Sequence, residues 1–415
     1  MAVDPSVAAL FENTENAFAY KSDRELRSAH WLFTVMSFST LMNWGIRITP
    51  WAVRMGLPIK NLLRRYLFPQ FVGGESLPQT AQVAAWLAKF QVQVILDYGV
   101  EGGDTHEADF DRACEEFLKV IDYAASQQNI PFISVKVTGI ARFALLEKLD
   151  QAMTNPAGTL MKRYQQALST LSSQEVSEWQ RVVGRLELIG QKAHAQQVGV
   201  FIDAEDSWIQ DPVDMATMLL MKQYNQQRAV IFNTYQLYRH DRIRFLQECC
   251  EAALEHHFIL GAKLVRGAYM EKERQRASEL NYPSPIQPDK EHTDRDFNAA
   301  IAYCIDHLSA ISLVVASHNE YSNVVTTRLM EEKKIGRDHP HVHFSQLYGM
   351  SDHITFNLAK AGYRVSKYLP FGPLEEVIPY LMRRAQENTS VAGQTGRELL
   401  LIRKELRRRK QLKHS

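Results

Sequence analysis

Beyond about residue 85 the chain alternates between two kinds of text. Short, β-branched, nearly continuous apolar runs occur at VQVILDY (92–98), PFISVKV (131–137), GVFIDA (199–204), AVIFNTY (229–235), GAKLVRG (261–267), SLVVASH (312–318), HVHFSQL (341–347) and YRVSKYL (363–369). Continuous rather than alternating apolarity marks strands covered on both faces, as in a parallel sheet flanked by helices. Segments of helical period, such as EEFLKVIDYAASQ and FNAAIAYCIDHLSA, lie between the runs. Eight such units predict an α/β fold, a (β/α)8 TIM-type barrel over residues 85–390. A doubly wound open sheet is the rival, but it usually carries GxGxxG after its first strand, and none is present. Before residue 85 the text is helical and irregular, broken at Pro50, Pro58, Pro69 and Gly73-Gly74, which predicts an N-terminal helical region over 1–84. A basic helix or tail is expected over 391–415.

In such barrels chemistry sits where strands end and βα loops begin. Polar residues stand at or near those ends: Asp97, Glu101, Lys136, Asp203, Glu205, Asn233, Gln236, Lys263, Arg266, Ser317, His318, Asn319, Gln346, Lys367 and Tyr368. The segment GPLEEVIPYLMRRAQEN (372–388) predicts a helix beside this mouth, with Gly372-Pro373 at its start and Glu375 and Glu376 in the first turn. Pro379 should kink it or delay its start. Tyr380, Arg383, Arg384 and Glu387 fall at i, i+3, i+4 and i+7, on one face. Adjacent guanidiniums there suit bidentate capture of a carboxylate; the alternative is a solvated basic face.

Net charge is +1, so no overall field favours nucleic acid or an acidic substrate, and recognition must be local. The four cysteines show no CxxC and no zinc-like spacing, which suits a reducing compartment. The N-terminus lacks the basic region and apolar core of a secretory signal and is acidic where a mitochondrial transit peptide is Arg-rich. The apolar stretch from Trp31 to Trp51 is interrupted by Ser37, Ser39, Asn43, Arg47 and Pro50, short of the roughly 20 apolar residues a spanning helix needs. These features predict a cytoplasmic protein, with peripheral contact at the inner face of a bacterial membrane as an option.

Several separated segments resemble one family, the proline dehydrogenases: LDYGVEGG, SVKVTGIARF, FIDAE, IFNTYQ, KLVRGAYMEKER, VASHN, FSQLYGM and KYLPFGPLEEVIPYLMRRAQEN. The resemblance is to the monofunctional, eukaryote-like branch. It implies FAD-dependent oxidation of L-proline to pyrroline-5-carboxylate, the first step of proline catabolism, by hydride transfer from C5 to flavin N5. Electrons would then pass to a membrane quinone. It further implies that Arg383 and Arg384, with Lys136, clamp the proline carboxylate. Tyr368 and Tyr380 would wall the ring, Leu347 and Tyr269 would close the apolar side, and Asp203 would orient the cluster from beneath. Glu101 resembles a loop carboxylate that gates the pocket. Lys263, Val265, Gly267 and Ala268 would line the isoalloxazine, with Asn233 near its pyrimidine edge. Ser317, His318 and Asn319 resemble flavin contacts, and Thr293 and Glu387 would reach the ribityl and nucleotide portions. Lys263 stands where bifunctional members carry Arg, and Met270 where some carry an aromatic residue. Tyr368 argues for proline over hydroxyproline, because hydroxyproline-preferring members tend to lack it.

Three other classes compete. His339, His341 and His343 could ligate a metal on one strand, but they stand at its beginning, away from the active face, and read as surface histidines. Lys136 or Lys263 could serve as a Schiff-base nucleophile. The tail RKELRRRKQLKHS could dock on a membrane, or simply complement its own helix dipole.

Overall fold

The structure is a computed structural model that describes residues 10–38, 63–99, 106–154, 158–390 and 394–413, with positions 55 and 61 in isolation. Eight parallel strands close into a barrel in chain order: β1 (Gln93–Tyr98), β2 (Phe132–Lys136), β3 (Gly199–Asp203), β4 (Ile231–Gln236), β5 (Leu260–Val265), β6 (Ile311–Ala316), β7 (Val342–Leu347) and β8 (Val365–Phe371). Each coincides with one of the eight apolar runs to within a few residues. β1 pairs with β8 along its whole length, from Gln93 opposite Ser366 to Tyr98 opposite Phe371, and so closes the ring.

Strand alternation divides the buried residues into two cores. Val94, Leu96, Val200, Ile202, Ile231, Leu260, Ala262, Leu313 and Val315 face outward onto the helices. Ile95, Phe132, Phe201, Phe232, Val314 and Tyr368 face inward. The Phe132 and Phe201 rings stack at 4.7 Å, and Phe232 meets both edge-on, so aromatic side chains plug the barrel below its mouth. Gly261 is required by close approach, since a Cβ there would lie 2.2 Å from the Ile231 carbonyl oxygen.

The helical ring departs from one helix per strand. Three helices follow β2 (Phe143–Thr154, Leu160–Leu168 and Ser173–Gln196), and the last begins in a capping box between Ser172 and Glu175. A third core lies outside the barrel, where Leu26, Phe33, Phe71, Leu381 and Ile402 pack together. It joins the Asp23–Met36 helix, the Leu374–Ser390 helix after β8, and the C-terminal helix Gln394–Leu412. Pro379 lies inside the Leu374–Ser390 helix, which starts ahead of it, so the expected later start is not observed. The C-terminal arginines are tied down: Arg409 bonds Glu405 at 2.7 Å and Asp23 at 3.0 Å, and Arg408 bonds Glu405 at 2.8 Å. Residues 39–54, which hold most of the Trp31–Trp51 stretch, lie outside the described residues, as do Pro58 and Glu101. The side chain of Glu387 does too.

Candidate active site

The inward-facing positions change character one layer above the aromatic plug. Asp97 closes β1, Ser134 and Lys136 close β2, Asp203 ends β3, Lys263 lies on β5, and Tyr368 on β8. Their side chains form one continuous chain of polar contacts. Lys136 Nζ pairs with Asp97 at 3.1 Å. Ser134 Oγ lies 2.8 Å from Asp97 Oδ1 and 3.0 Å from the Tyr368 hydroxyl. Tyr368 donates to Asp203 Oδ2 at 2.7 Å, and Lys263 Nζ donates to Asp203 Oδ1 at 2.5 Å. All six residues are buried, and two ammonium groups balance two carboxylates, which is the condition for keeping charges out of water. Burial, reinforced by Asp203 and Asp97, pushes the Tyr368 phenol well above its ordinary value, so it stays a hydrogen-bond donor. Lys263 also lies 5.0 Å over the Tyr368 ring, a cation–π contact.

The Leu374–Ser390 helix supplies a second wall. Tyr380 and Arg384 are buried, Arg383 is half-buried, and the Arg384 guanidinium lies 4.9 Å over the Tyr380 ring. Leu347, at the end of β7, packs both on the Tyr368 cluster inside the barrel and on the Tyr380 cluster outside it. Tyr380, Arg384, Leu347 and Tyr368 are thereby brought to one side of the mouth.

A third group gathers past β5 and β6. Arg266 donates to Ser317 Oγ at 2.6 Å and to Ser322 Oγ at 2.7 Å, and pairs with Asp294 at 2.9 Å. Burial, partly offset by Asp294, brings its guanidinium down to about 10. Asn319 caps the Glu320–Glu332 helix and Thr293 lies in the first turn of the Lys290–Asp306 helix, so two helix N-termini border this group. His318 Nδ1 lies 2.9 Å from Ser351 Oγ. Burial, with the nearby Lys367 and Arg384 cations, pushes its imidazole down to about 3. Val265, Gly267 and Ala268 follow Lys263 out of the barrel, Met270 folds back over Gly267, and Tyr269 lies close to Tyr238.

Some expected positions lie elsewhere. Asn233 points away from the mouth: it pairs across the sheet with outward-facing Ile202, and its amide donates to Asp214 on the Gln210–Tyr224 helix at 2.9 Å. Three residues on, Gln236 faces the mouth and donates to the Glu205 carbonyl at 2.6 Å and to Tyr238 at 2.8 Å. Gln346 and Lys367 also face outward. Gln346 accepts from Thr355, and Lys367 pairs with Asp352 at 2.9 Å. His343 is no surface histidine; it is buried under the aromatic plug, 2.6 Å from Ser366 Oγ. Ser134 is the residue that the sequence reading did not name, and Asp97 entered it only by its place at a strand end, with no role assigned. Strand alternation carried the signal, since Asp97 shares the parity of Ile95, and Ser134 that of Lys136.

A family model described as Proline dehydrogenase matches residues 81–397. Proline dehydrogenase 1, mitochondrial, of Dictyostelium discoideum is 31% identical over 96% of this chain and 74% of its own. Hydroxyproline dehydrogenase of Xenopus laevis is 32% identical over 97% of this chain and 90% of its own. Among solved structures, proline utilization A (PutA) from Bdellovibrio bacteriovorus superimposes with a TM-score of 0.70 at 17% identity, covering 94% of this chain. The present chain spans only 42% of that polypeptide, and the likeness is one of fold. The name of the Dictyostelium protein bears against the expected bacterial cytoplasmic setting. Among the described residues no helix is long and apolar enough to cross a membrane. The family match and the near full-length relatives agree with a barrel whose polar layer sits at its mouth: the chain belongs to the proline dehydrogenase family and is an oxidoreductase of proline oxidation.

Proposed function

We propose that this chain oxidises L-proline to pyrroline-5-carboxylate with bound FAD, and that the electrons pass on to a membrane quinone. The observation that carries this reading is the charge-balanced chain Lys136–Asp97–Ser134–Tyr368–Asp203–Lys263, to which Leu347 links the wall of Tyr380 and Arg384. A small zwitterion needs cations for its carboxylate and a shaped wall for its ring, and both are present. The ends of β4, β5 and β6 suit a flavin. Gly267 and Ala268 offer little side-chain bulk beside the Lys263 cation, and Gln236 holds a buried Oε1 without a hydrogen-bond partner, an acceptor that an imide N–H would satisfy.

In this reading Arg383, Arg384 and Lys136 neutralise and orient the carboxylate, as charge-assisted donors do. Tyr368, Tyr380, Leu347 and Tyr269 enclose the ring. Asp203 fixes Tyr368 and Lys263 together, which sets the wall and the cofactor-facing cation in one frame. Lys263, Val265, Gly267 and Ala268 would hold the isoalloxazine, Ser317, His318 and Asn319 would contact the flavin, and Thr293 and Glu387 would reach its ribityl and nucleotide portions, as the resemblance implies. Glu101, outside the described residues, would keep the gating role that the resemblance implies. When bound, the flavin supplies the two-electron acceptor, at N5, for the hydride that leaves C5. Fixing the reacting carbon in place contributes several kcal/mol, up to about 7–11 in well-oriented systems. Water takes the amine proton, and a closed, cation-rich pocket favours the neutral amine that gives up hydride.

Quinone access calls for peripheral membrane contact, for which Arg407 and Lys410 are exposed. Vesicle co-sedimentation that ignores salt and charge reversal at these two positions would remove that part of the reading. Hydroxyproline is the second substrate to consider, on the strength of the Xenopus relative; the ring wall at Tyr368 opposes an added hydroxyl. The test is an anaerobic visible spectrum. A flavin band that bleaches with L-proline, and much less with trans-4-hydroxyproline, is expected. A band indifferent to both would overturn the substrate, and a protein that stays colourless after reconstitution would overturn the cofactor.

A further inference from the structure

The loop between β7 and the Asp352–Lys360 helix is gripped from several parts of the chain. Gln70 donates to the Gly349 carbonyl at 2.7 Å, and Tyr20 donates to Asp352 at 2.6 Å. Lys367, on the outer face of β8, donates to the Met350 carbonyl at 2.6 Å. From the C-terminal helix, the buried Glu398 carboxylate accepts the backbone N–H of Ser351 in a short hydrogen bond. Ser351 itself is held at φ 50°, ψ 43°, a left-handed conformation that is costly for a residue with a Cβ and persists only where the surroundings impose it. The outcome of this holding is local: the Ser351 hydroxyl meets Nδ1 of His318 at 2.9 Å.

We propose that Ser351 and Glu398 are positioning residues that fix His318 as its Nδ1–H tautomer, which makes the C-terminal helix part of the working site. A neutral imidazole has one donor nitrogen and one acceptor nitrogen. The Leu347 backbone N–H is directed at Nε2 of His318, 3.5 Å away, and only a lone pair can face it. The proton therefore sits on Nδ1 and is donated to Ser351 Oγ. The opposite tautomer would set two N–H groups against each other at the residue that bridges the inner and outer clusters of the mouth. The depressed basicity of His318, caused by burial and by Lys367 and Arg384, keeps the ring neutral at working pH. Such partners behind an active-site histidine commonly set which nitrogen is protonated.

The inference rests on the reading that His318 borders a flavin, but its first test needs no flavin. In the full chain with ¹⁵N-labelled histidine, two-bond proton–nitrogen correlations report the tautomer directly. The wild type should show His318 with Nδ1 protonated, and Ser351→Ala should shift it toward the Nε2–H form. After flavin reconstitution, Ser351→Ala should lower kcat for proline by about fivefold or more, the scale of one lost hydrogen bond, while changing KM little. Glu398→Ala should act in the same direction, and Glu398→Gln, which keeps an acceptor oxygen, should retain more activity. Ser351→Gly relieves the positive φ and so folds at least as well, yet should match Ser351→Ala. An Nε2–H tautomer in the wild type, or Ser351 variants with unchanged tautomer and kcat, overturns the proposal. A wild type that binds no flavin overturns the functional reading instead and leaves the tautomer result standing.

Discussion

The two ends of this barrel are built from the same eight strands and the same alternation, yet they carry opposite chemistry. At the lower end the inward positions are Phe132, Phe201, Phe232 and Ile95, with one neutral pair, His343 and Ser366. Two or four residues later on the same strands the inward positions become Ser134, Lys136, Asp203, Asp97 and Tyr368. β2 and β3 make the switch most plainly: Phe132 gives way to Ser134 and Lys136, and Phe201 to Asp203. The lower layer needs nothing from outside to be satisfied. The upper one assembles cations, carboxylates and a phenol around a space that a zwitterion and a cofactor can complete. Stability and recognition are thus separated along the barrel axis by one turn of strand alternation, and substitutions should separate in the same way.

The largest effect is expected below. Phe201→Ala removes the stacking partner of Phe132 and the edge contact of Phe232, and should destabilise the fold by about 3–5 kcal/mol. Denaturant unfolding measures this, and the KM for proline of the surviving folded fraction should stay near the wild-type value. Arg384→Ala is the converse. Truncating a buried charged donor to substrate costs about 3 kcal/mol or more, so kcat/KM for proline should fall by roughly 10²-fold or more, carried mainly by KM, with the unfolding midpoint little changed. If Arg384→Ala instead lowers stability and leaves KM intact, the helix is scaffold and the contrast between the two ends fails. Tyr368→Phe sits on the boundary. It keeps the ring but strands Asp203 Oδ2 and leaves Ser134 with Asp97 alone, a loss of about 1–3 kcal/mol, which should divide between roughly tenfold lower kcat and a modest drop in stability.

The fold was legible because its signal is redundant. Each strand is a continuous apolar run, and eight runs separated by helical text admit few arrangements. The same continuity hid the orientation of individual residues. In IFNTYQ a run buried on both faces does not reveal which parity faces inward, so Asn233 was assigned to the mouth although the outward face holds it against Asp214. Gln236, with the opposite parity, takes the inward place. Lys367 and Gln346 were read as mouth residues for the same reason. Asp203 and Tyr368 were reached through family resemblance and Asp97 through its place at a strand end, but their linkage through Ser134 was not, because a small hydroxyl residue carries no distinctive text. Glu398 meets Ser351 across 47 positions, and no local pattern encodes a contact of that range. Glu101 and the Glu387 side chain lie outside the described residues, and their roles stay with the proposal.

The smallest expected effect is also the cleanest comparison between the two ends, because each holds a histidine whose basicity the fold depresses, His343 buried and His318 half-buried. His343 below and His318 above are both pushed down to about 3, chiefly by burial, from an ordinary value near 6.5. In the unfolded chain both take up protons as the pH falls below about 6.5, whereas in the folded chain they do not until near pH 3. The unfolded state therefore binds more protons across that window, and stability must decline as the pH falls through it. The stabilising contribution is fully present above about pH 6.5 and is lost progressively on the way to pH 3. His343→Gln, which keeps an amide able to bond Ser366, should flatten the pH dependence of the unfolding midpoint between those limits. It should leave proline turnover unchanged, because no site residue touches it. His318→Gln should flatten the same curve and also slow turnover. Denaturant titrations at several pH values, read beside kcat, separate the two: a curve for His343→Gln that runs parallel to wild type would show that the lower histidine already protonates in the fold, and the barrel floor would then be less dry than its aromatic plug implies.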